Sequence, residues 1–509
     1  MKVWTREVLT DFIRARMQGY SFIVISNRQP YSHQYGTDGR IECIQPASGM
    51  ASALDPVMRA TGGLWIAHGS GDADRAVVDE RDHVRVPPKN AKFSLRRIWL
   101  TPEQVEGHYN GLSNQGLWPL CHVAFTRPYF EPRHWELYRE VNQIFAEAVL
   151  KEAGDEPTFV FIQDYHFALL PRMLQKANAN LVIAQFWHIP WPNREVFRSF
   201  PWQNELLDGM LGNDLLGFHL HHHCQNFLET VDRSVEALCD PSTMSIKKEG
   251  KQTLVRAFPI SVDYDAHVHE ATSREVRHEM DAWRKRLNLT DMHLLAVGVD
   301  RLDYTKGIPD RLRALDRLFE LHPEFRGRLV FAQIGVPSRS TLEPYRQIED
   351  EVTTLVERIN ARWGTPRWRP VMLFKSHFFP AQMMALHRLA SFCVVTSLHD
   401  GMNLVAKEYV ASRTDDDGVL VLSRFTGAAR ELEDALLVNP FSIEETAAAY
   451  REALLMPREE RRRRMQRMRQ EVETNNVYRW AGKFLSALTK FEFREDSPSE
   501  ARATAGAAA

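Results

Sequence analysis

The sequence predicts a doubly wound α/β protein, and three observations carry that prediction. Seven short runs are apolar on consecutive positions and rich in β-branched residues: SFIVIS (21–26), FVFI (159–162), LVIAQFW (181–187), LLAVGV (294–299), RLVFAQIGV (328–336), FCVVTS (392–397) and GVLVLS (418–423). Consecutive apolar residues fit strands covered on both faces. Helical segments such as 127–154 and 349–363 lie between them. Strands alternating with helices build a mainly parallel sheet with helices on both faces. The runs also fall into two groups, before and after about residue 260, joined by the proline-interrupted segment VRAFPISVDYDAH (255–267). At ~150 residues per domain, 509 residues suggest about three domains, but α/β domains run larger and two are equally compatible. Ligands of such folds bind at the carboxyl ends of the strands, so an active site is expected between the two halves.

Composition narrows the classes. With 44% hydrophobic and 26% charged residues, the chain can bury a sizeable core. A formal net charge of -2 argues against a nucleic-acid partner. No apolar run is long enough to span a bilayer. The N-terminal MKVWTREVLTDFIRARMQ reads as an amphipathic helix rather than a signal peptide. Cys43, Cys121, Cys224, Cys239 and Cys393 form no CxxC pair, which fits reduced thiols in a cytoplasmic protein. The charged run 458–471 is expected to be a solvated helix face, and the tail 497–509 to be disordered.

The polar segments at strand ends carry the chemistry. SNRQP (26–30) presents Arg28, which suits a phosphate or a surface salt bridge. QDYHFALLP (163–171) presents Asp164, either a helix N-cap or an acceptor for sugar hydroxyls. FWHIPWPN (186–193) presents His188, either a donor to substrate or a packed, hydrogen-bonded histidine. Trp187 and Trp191 are either sugar platforms or buried indoles. VDRLDYTKG (299–307) places Arg301 and Lys306 in one loop, as a diphosphate requires. In HDGMNLVAKEY (399–409), a helix is expected to begin near Gly401 or Met402 and to offer its free amides to an anion. Asp400 would accept from sugar hydroxyls, and Glu408 would reach a ribose. The run HLHHH (219–223) invites a metal reading, but adjacent histidines diverge and no HExxH pattern is present.

In this order the segments resemble the trehalose-6-phosphate synthase family over about residues 20 to 490. SNRQP, SGMASAL with GGLW (48–65), YNGLSNQGLWPLCH (109–122), QDYHFALLP, HIPWP, LGNDLLGFH, FPISVD, VDRLDYTKG, VPSR, HDGMNLVAKEY and FTGAA follow in family order. The resemblance implies the GT-B fold, with two Rossmann-like domains facing across a cleft. It implies an acceptor-binding domain over 1–260, a nucleotide-sugar-binding domain over 261–480, a returning helix over 481–495 and a tail over 496–509. The implied reaction is retaining transfer of glucose from a nucleotide-glucose to glucose-6-phosphate, without a metal or other cofactor. Membrane and nucleic-acid partners are not implied, and a homo-oligomer is left open.

By position, the resemblance gives Arg28 and Arg339 the acceptor phosphate, Tyr109 and Trp118 the acceptor site, and Asp164 the acceptor hydroxyls. His188 would stand at the reaction centre. Gly49, Arg301 and Lys306 would hold the donor diphosphate. Asp400, with the amides of Gly401, Met402, Asn403 and Leu404, would hold the glucosyl group and phosphate, and Glu408 the ribose. The sequence departs from the family's commoner pattern at Ser48-Gly49-Met50, at the tryptophan of HIPWP and at His399. These departures bear on the acceptor, for which glycerol-3-phosphate is the alternative. A catalytically silent relative would have lost site positions, and none is missing.

Overall fold

The computed structural model describes residues 3–45, 49–491 and 493. Two sheets organise them. The first has ten strands, in the spatial order Leu238–Asp240, Ser245–Lys248, Lys251–Ala257, Leu215–Phe218, Leu181–Phe186, Thr158–Gln163, Ser21–Arg28, Leu64–His68, Phe93–Ile98 and His83–Val86. The seven from Lys251–Ala257 to Phe93–Ile98 run parallel, and antiparallel strands close both edges. The second sheet has six parallel strands, ordered Val371–Phe374, Leu329–Val336, Leu294–Arg301, Phe392–Val395, Val419–Ser423 and Leu436–Val438.

Numbered along the chain, the second sheet reads 3-2-1-4-5-6. Its order reverses between Leu294–Arg301 and Phe392–Val395. The first sheet reverses between Ser21–Arg28 and Thr158–Gln163. At a reversal, the loops leave on opposite faces and open a crevice at the carboxyl ends of the strands. These four strands lead to Arg301 with Lys306, Asp400, Arg28 and Asp164, respectively.

Local chemistry sets the element limits. Every residue of Thr158–Gln163 and Leu181–Phe186 is buried, which suits strands covered on both faces. The helix expected over 127–154 is Pro132–Ala153, because Glu131 is extended and Pro132 opens the first turn. The helix expected from 349 starts earlier, as Glu343–Trp363, with a proline in its first turn. The run 458–471 lies on Arg458–Thr474 and is not only a solvated face: Met465, Met468 and Val472 are buried. Arg461 and Arg469 pair there with Asp417 and Asp416. The N-terminal helix is Arg6–Met17, which buries Leu9, Ile13 and Met17 and packs against the helix Gly49–Thr61. The tail 496–509 lies outside the described residues.

The chain crosses between the sheets twice. It leaves the first sheet after Ala257 and enters the helix Tyr264–Ala271. Near its end, the helix Val477–Leu488 returns to the first sheet, with Phe484 stacked 4.2 Å from Phe161. Gly482 admits the Trp4 indole so closely that a Cβ would lie 2.3 Å from the ring. The two crossings are tied side by side. The Val477 N–H donates to the Val262 carbonyl at 3.0 Å, and the Tyr478 hydroxyl to Asp263. Buried Lys407 donates to the Ile260 carbonyl at 2.8 Å and pairs with Glu431 at 2.6 Å.

An enclosed ion pair supports the loop after Ser21–Arg28. Arg97 and Asp74 lie 2.9 Å apart with both side chains fully buried. Arg97 Nε donates to Gln29 Oε1 at 3.0 Å, and Asp74 accepts from the N–H groups of His33 and Gly71, both at 2.7 Å. Gln29, next to Arg28, is thus held from below. Replacing Arg97 by Ala leaves the Asp74 carboxylate buried without its cation, which should cost about 3–5 kcal/mol. The urea midpoint of Arg97→Ala should fall accordingly at an unchanged slope, whereas an unchanged midpoint would deny the pair this role.

Candidate active site

The cleft between the two sheets encloses about 390 Å³. Its wall contains Arg28, Tyr109, Trp118, Asp164, His188, Arg301, Lys306, Arg339, Asp400, Met402, Asn403, Leu404 and Glu408. Residues from both halves of the chain therefore converge on one volume. Two expected residues stand outside that wall. Gly49 opens the helix Gly49–Thr61, and residues 46–48 before it lie outside the described residues. Gly401 sits behind the wall, where a Cβ would meet the His188 carbonyl oxygen at 2.3 Å.

One side of the cleft is a cationic pocket around two aromatic rings. Arg28 Nη2 donates to the Tyr109 hydroxyl at 2.8 Å, and Arg28 pairs with no carboxylate among the described residues. The surface salt bridge is therefore not formed. Tyr109 rides on the π-helical stretch Val105–Leu117, where Asn114 Nδ2 donates to the Tyr109 carbonyl at 2.7 Å. Arg339 reaches in from the second sheet with a left-handed backbone, φ 50°. Its guanidinium lies 4.6 Å from the Trp118 ring centre and 5.9 Å from that of Tyr109. Arg301 approaches Trp118 at 5.5 Å. Burial alone would raise the Tyr109 phenol, but the charges of Arg339, Arg28 and Arg301 bring it down to about 7. Asp303, 3.7 Å from Arg301 and 3.9 Å from Arg339, offsets part of this field. What remains favours an anion.

Asp164 follows the strand Thr158–Gln163 with φ 72° and does not cap the turn after it. Its Oδ1 accepts from the His188 N–H at 3.1 Å. Burial raises its carboxyl to about 7, opposed by the His188 and Tyr165 amides and by Arg339. His188 is packed and hydrogen-bonded. Its Nε2 donates to Gln163 Oε1 at 2.9 Å, and burial keeps its ring neutral. His219 Nε2 donates to the His188 carbonyl at 3.0 Å. Trp187 and Trp191 are fully buried, so neither is a sugar platform; Trp118 is the indole that lines the cleft.

The other side is built on the reversal of the second sheet. Lys306 Nζ donates to Asp400 Oδ2 at 2.6 Å. The same oxygen accepts from Ser397 Oγ at 3.1 Å and from Asn403 Nδ2 at 3.2 Å. Burial alone would raise the Asp400 carboxyl, but Lys306 and the neighbouring donors hold it well below the usual carboxylate range. The helix expected to start at Gly401 or Met402 is Leu404–Ser412. Asn403 occupies its N-cap at φ 75°, and its side chain takes the Ala406 N–H at 3.3 Å. Gly401 and Met402 therefore belong to an irregular loop. Glu408 lies one turn inside the helix, and burial raises its carboxyl. Beneath both loops, fully buried Arg311 donates to Asp300 at 2.6 Å, to Gln333 at 3.0 Å and to Thr396 at 2.9 Å. It thereby ties three neighbouring strands together.

The wall also contains residues that sequence reasoning left without a role, among them Asn27, His122, Gln163, His166 and His219. Their signal is adjacency: Asn27 precedes Arg28, Gln163 precedes Asp164, and His122 closes the LWPLCH segment. The histidines of HLHHH diverge, with His219 before the helix His221–Ser234 and the last three on it. Among the described residues, no group of three or more His, Cys, Asp or Glu side chains is arranged to hold a metal ion.

Comparison with known proteins places this geometry. The family description "Glycosyltransferase family 20" matches residues 20–490. A trehalose-6-phosphate synthase of Mycolicibacterium vanbaalenii is 38% identical over 492 residues, covering 94% of this chain and 98% of the relative. An E. coli structure bound with UDP-2-fluoro glucose superposes with TM-score 0.83 at 30% identity, covering 93% of this chain and all of that one. The UDP-forming α,α-trehalose-phosphate synthase of Burkholderia xenovorans, solved with glucose-6-phosphate, superposes with TM-score 0.82 at 31% identity, covering 92% of this chain and 99% of that one. The fold is GT-B, and the chain belongs to glycosyltransferase family 20.

Proposed function

We propose that this chain transfers glucose from a nucleotide-glucose, UDP-glucose, to glucose-6-phosphate with retention at the anomeric carbon, giving trehalose-6-phosphate. The observation that carries this reading is the division of cations within one cleft. Arg28 and Arg339 surround Tyr109, while Lys306 sits on Asp400 and Arg301 lies over Trp118 between the two groups. A sugar phosphate and a nucleoside diphosphate each need cations, and here the two sets adjoin. The named relatives are trehalose-6-phosphate synthases, and the two solved neighbours carry a UDP-glucose analogue and glucose-6-phosphate.

In this reading Arg28 and Arg339 hold the acceptor phosphate. Tyr109 and Trp118 form the wall against its ring, and Asp164 takes its hydroxyls. Asp400 and the loop Gly401 to Leu404 hold the glucosyl group, with Glu408 at the ribose. The leaving group is a nucleoside diphosphate, so the barrier falls as its growing charge is stabilised. Arg301 and Lys306 supply that stabilisation. Lys306 gives one proton to Asp400 and keeps two for phosphate oxygens. Neither Asp164 nor Asp400 is poised as a nucleophile, since one is held by the His188 amide and the other by Lys306, Ser397 and Asn403. The acceptor hydroxyl attacks from the face the diphosphate leaves and gives its proton to the departing phosphate oxygen.

Three expectations follow from these roles. Activity should persist in excess chelator, because cationic side chains do the work a metal would otherwise do; loss of turnover restored by a divalent ion would contradict this. Lys306→Ala and Arg301→Ala should each lower kcat/KM for the donor by roughly ten- to hundredfold, the equivalent of a charged hydrogen bond of about 1.5–3 kcal/mol. The unfolding midpoint of Arg301→Ala should move little, whereas Lys306→Ala leaves the buried Asp400 without its cation and should also lose stability, so turnover is compared per folded molecule. Reduced stability with normal turnover per folded molecule would remove the diphosphate role.

The acceptor gives the sharpest test. Cations arranged around a dianion are left unpaired by a neutral sugar, which is costly in a buried site. Glucose-6-phosphate should therefore be used and free glucose should not. Arg28→Ala should reduce that preference while leaving donor binding near normal. Preference for glycerol-3-phosphate would replace the acceptor, and equal rates with glucose and glucose-6-phosphate would remove both arginines from their role.

A further inference from the structure

His122 lines the cleft directly after the short helix Trp118–Cys121. Its Nδ1 lies 2.9 Å from the Trp118 carbonyl oxygen. A carbonyl only accepts, so Nδ1 carries the proton. Burial holds the ring neutral, pushing it down to about 3. In a neutral imidazole protonated at Nδ1, Nε2 is an acceptor. That Nε2 has no hydrogen-bond partner among the described residues.

The ring is fixed from both halves of the molecule. It lies 4.1 Å from the Trp118 ring, and the His122 carbonyl accepts from His399 Nδ1 at 3.1 Å. His399 precedes Asp400 in the donor loop, and the charges that act on the ring are those of Asp400, Lys306 and Asp303. The neighbouring side chains Lys306 and Arg301 can only donate hydrogen bonds. A sugar hydroxyl seated there can accept from these cations, but its own proton needs an acceptor. Asp400 has one oxygen occupied by three donors. A second acceptor on this wall has a clear use.

We propose that His122 Nε2 accepts a hydrogen bond from a hydroxyl of the glucosyl group, making His122 a specificity-determining contact of the donor site. The proposal rests on the glucosyl-transfer reading above. The test uses the full chain with saturating glucose-6-phosphate. UDP release is followed with UDP-glucose and with its 2-, 3-, 4- and 6-deoxy analogues. The wild type should lose on the order of tenfold in kcat/KM with the analogue that lacks the contacted hydroxyl. His122→Phe keeps an aromatic ring beside Trp118 and removes the acceptor. It should lose a similar factor with UDP-glucose and nothing further with that analogue. His122→Gln, whose amide oxygen accepts, should recover part of the wild-type discrimination and also serves if the phenylalanine variant does not fold. Unchanged discrimination among the deoxy donors in both variants would overturn the proposal. So would a loss that vanishes at saturating glucose-6-phosphate and appears only when glucose-6-phosphate is varied below saturation, which would mark the ring as a support for Trp118. Failure of the wild type to release UDP from any donor would instead overturn the transfer reading, and this contact with it.

Discussion

The Lys306–Asp400 contact, at 2.6 Å, is the interaction on which the rest of the site depends. It joins the two loops that leave the second sheet on either side of its reversal. Neither ion would be tolerable there alone, because burial penalises an unpaired charge. Together they fix an ammonium group whose remaining protons face the cleft. Arg311 ties the strands below them. Gly401 brings the loop backbone against the His188 carbonyl, and Gly427 brings a second turn against the carbonyl of Gly401. Side-chain size is excluded at both glycines, so the shape of this wall is set by backbone contact as well as by charge.

The cationic pocket around Tyr109 and Trp118 follows a different rule. Trp118 belongs to the first half of the chain, yet the guanidinium groups nearest its ring come from the second, Arg339 at 4.6 Å and Arg301 at 5.5 Å. Cation–π contacts of this kind gain strength as water is excluded. This cationic pocket is therefore complete only when the halves meet.

Much of this was legible in the sequence, for a physical reason. Strands such as Thr158–Gln163 and Leu181–Phe186 are covered on both faces and so are written as unbroken apolar runs. Phe93–Ile98 was hidden because it carries Arg96 and Arg97, whose burial is sustained by Glu152 and Asp74 far away in sequence. Leu64–His68 and Leu215–Phe218 begin within the GGLW and LGNDLLGFH segments, which read as motifs and not as strands. At the site, Arg28, Asp164, Arg301 and Asp400 were readable because polar residues after strands stand where α/β folds bind ligands. The reach of Arg339 across the cleft to Trp118 has no local signature. Nor has the left-handed Asn403, which delays the helix to Leu404.

The paired crossings between the halves have a mechanical consequence. Two lengths of chain run side by side there, stitched by the Val477–Val262 hydrogen bond and by Tyr478 on Asp263, while Lys407 anchors the first of them to the second half through the Ile260 carbonyl. A single tether would leave the halves free to swivel. A stitched pair bends about one line and resists twisting, as a piano hinge does. Opening about that line is thereby favoured over swivelling. Because Arg339 and Trp118 belong to different halves, an opening about that line separates them, so the width of the cleft and the closeness of this contact are read from the same dial.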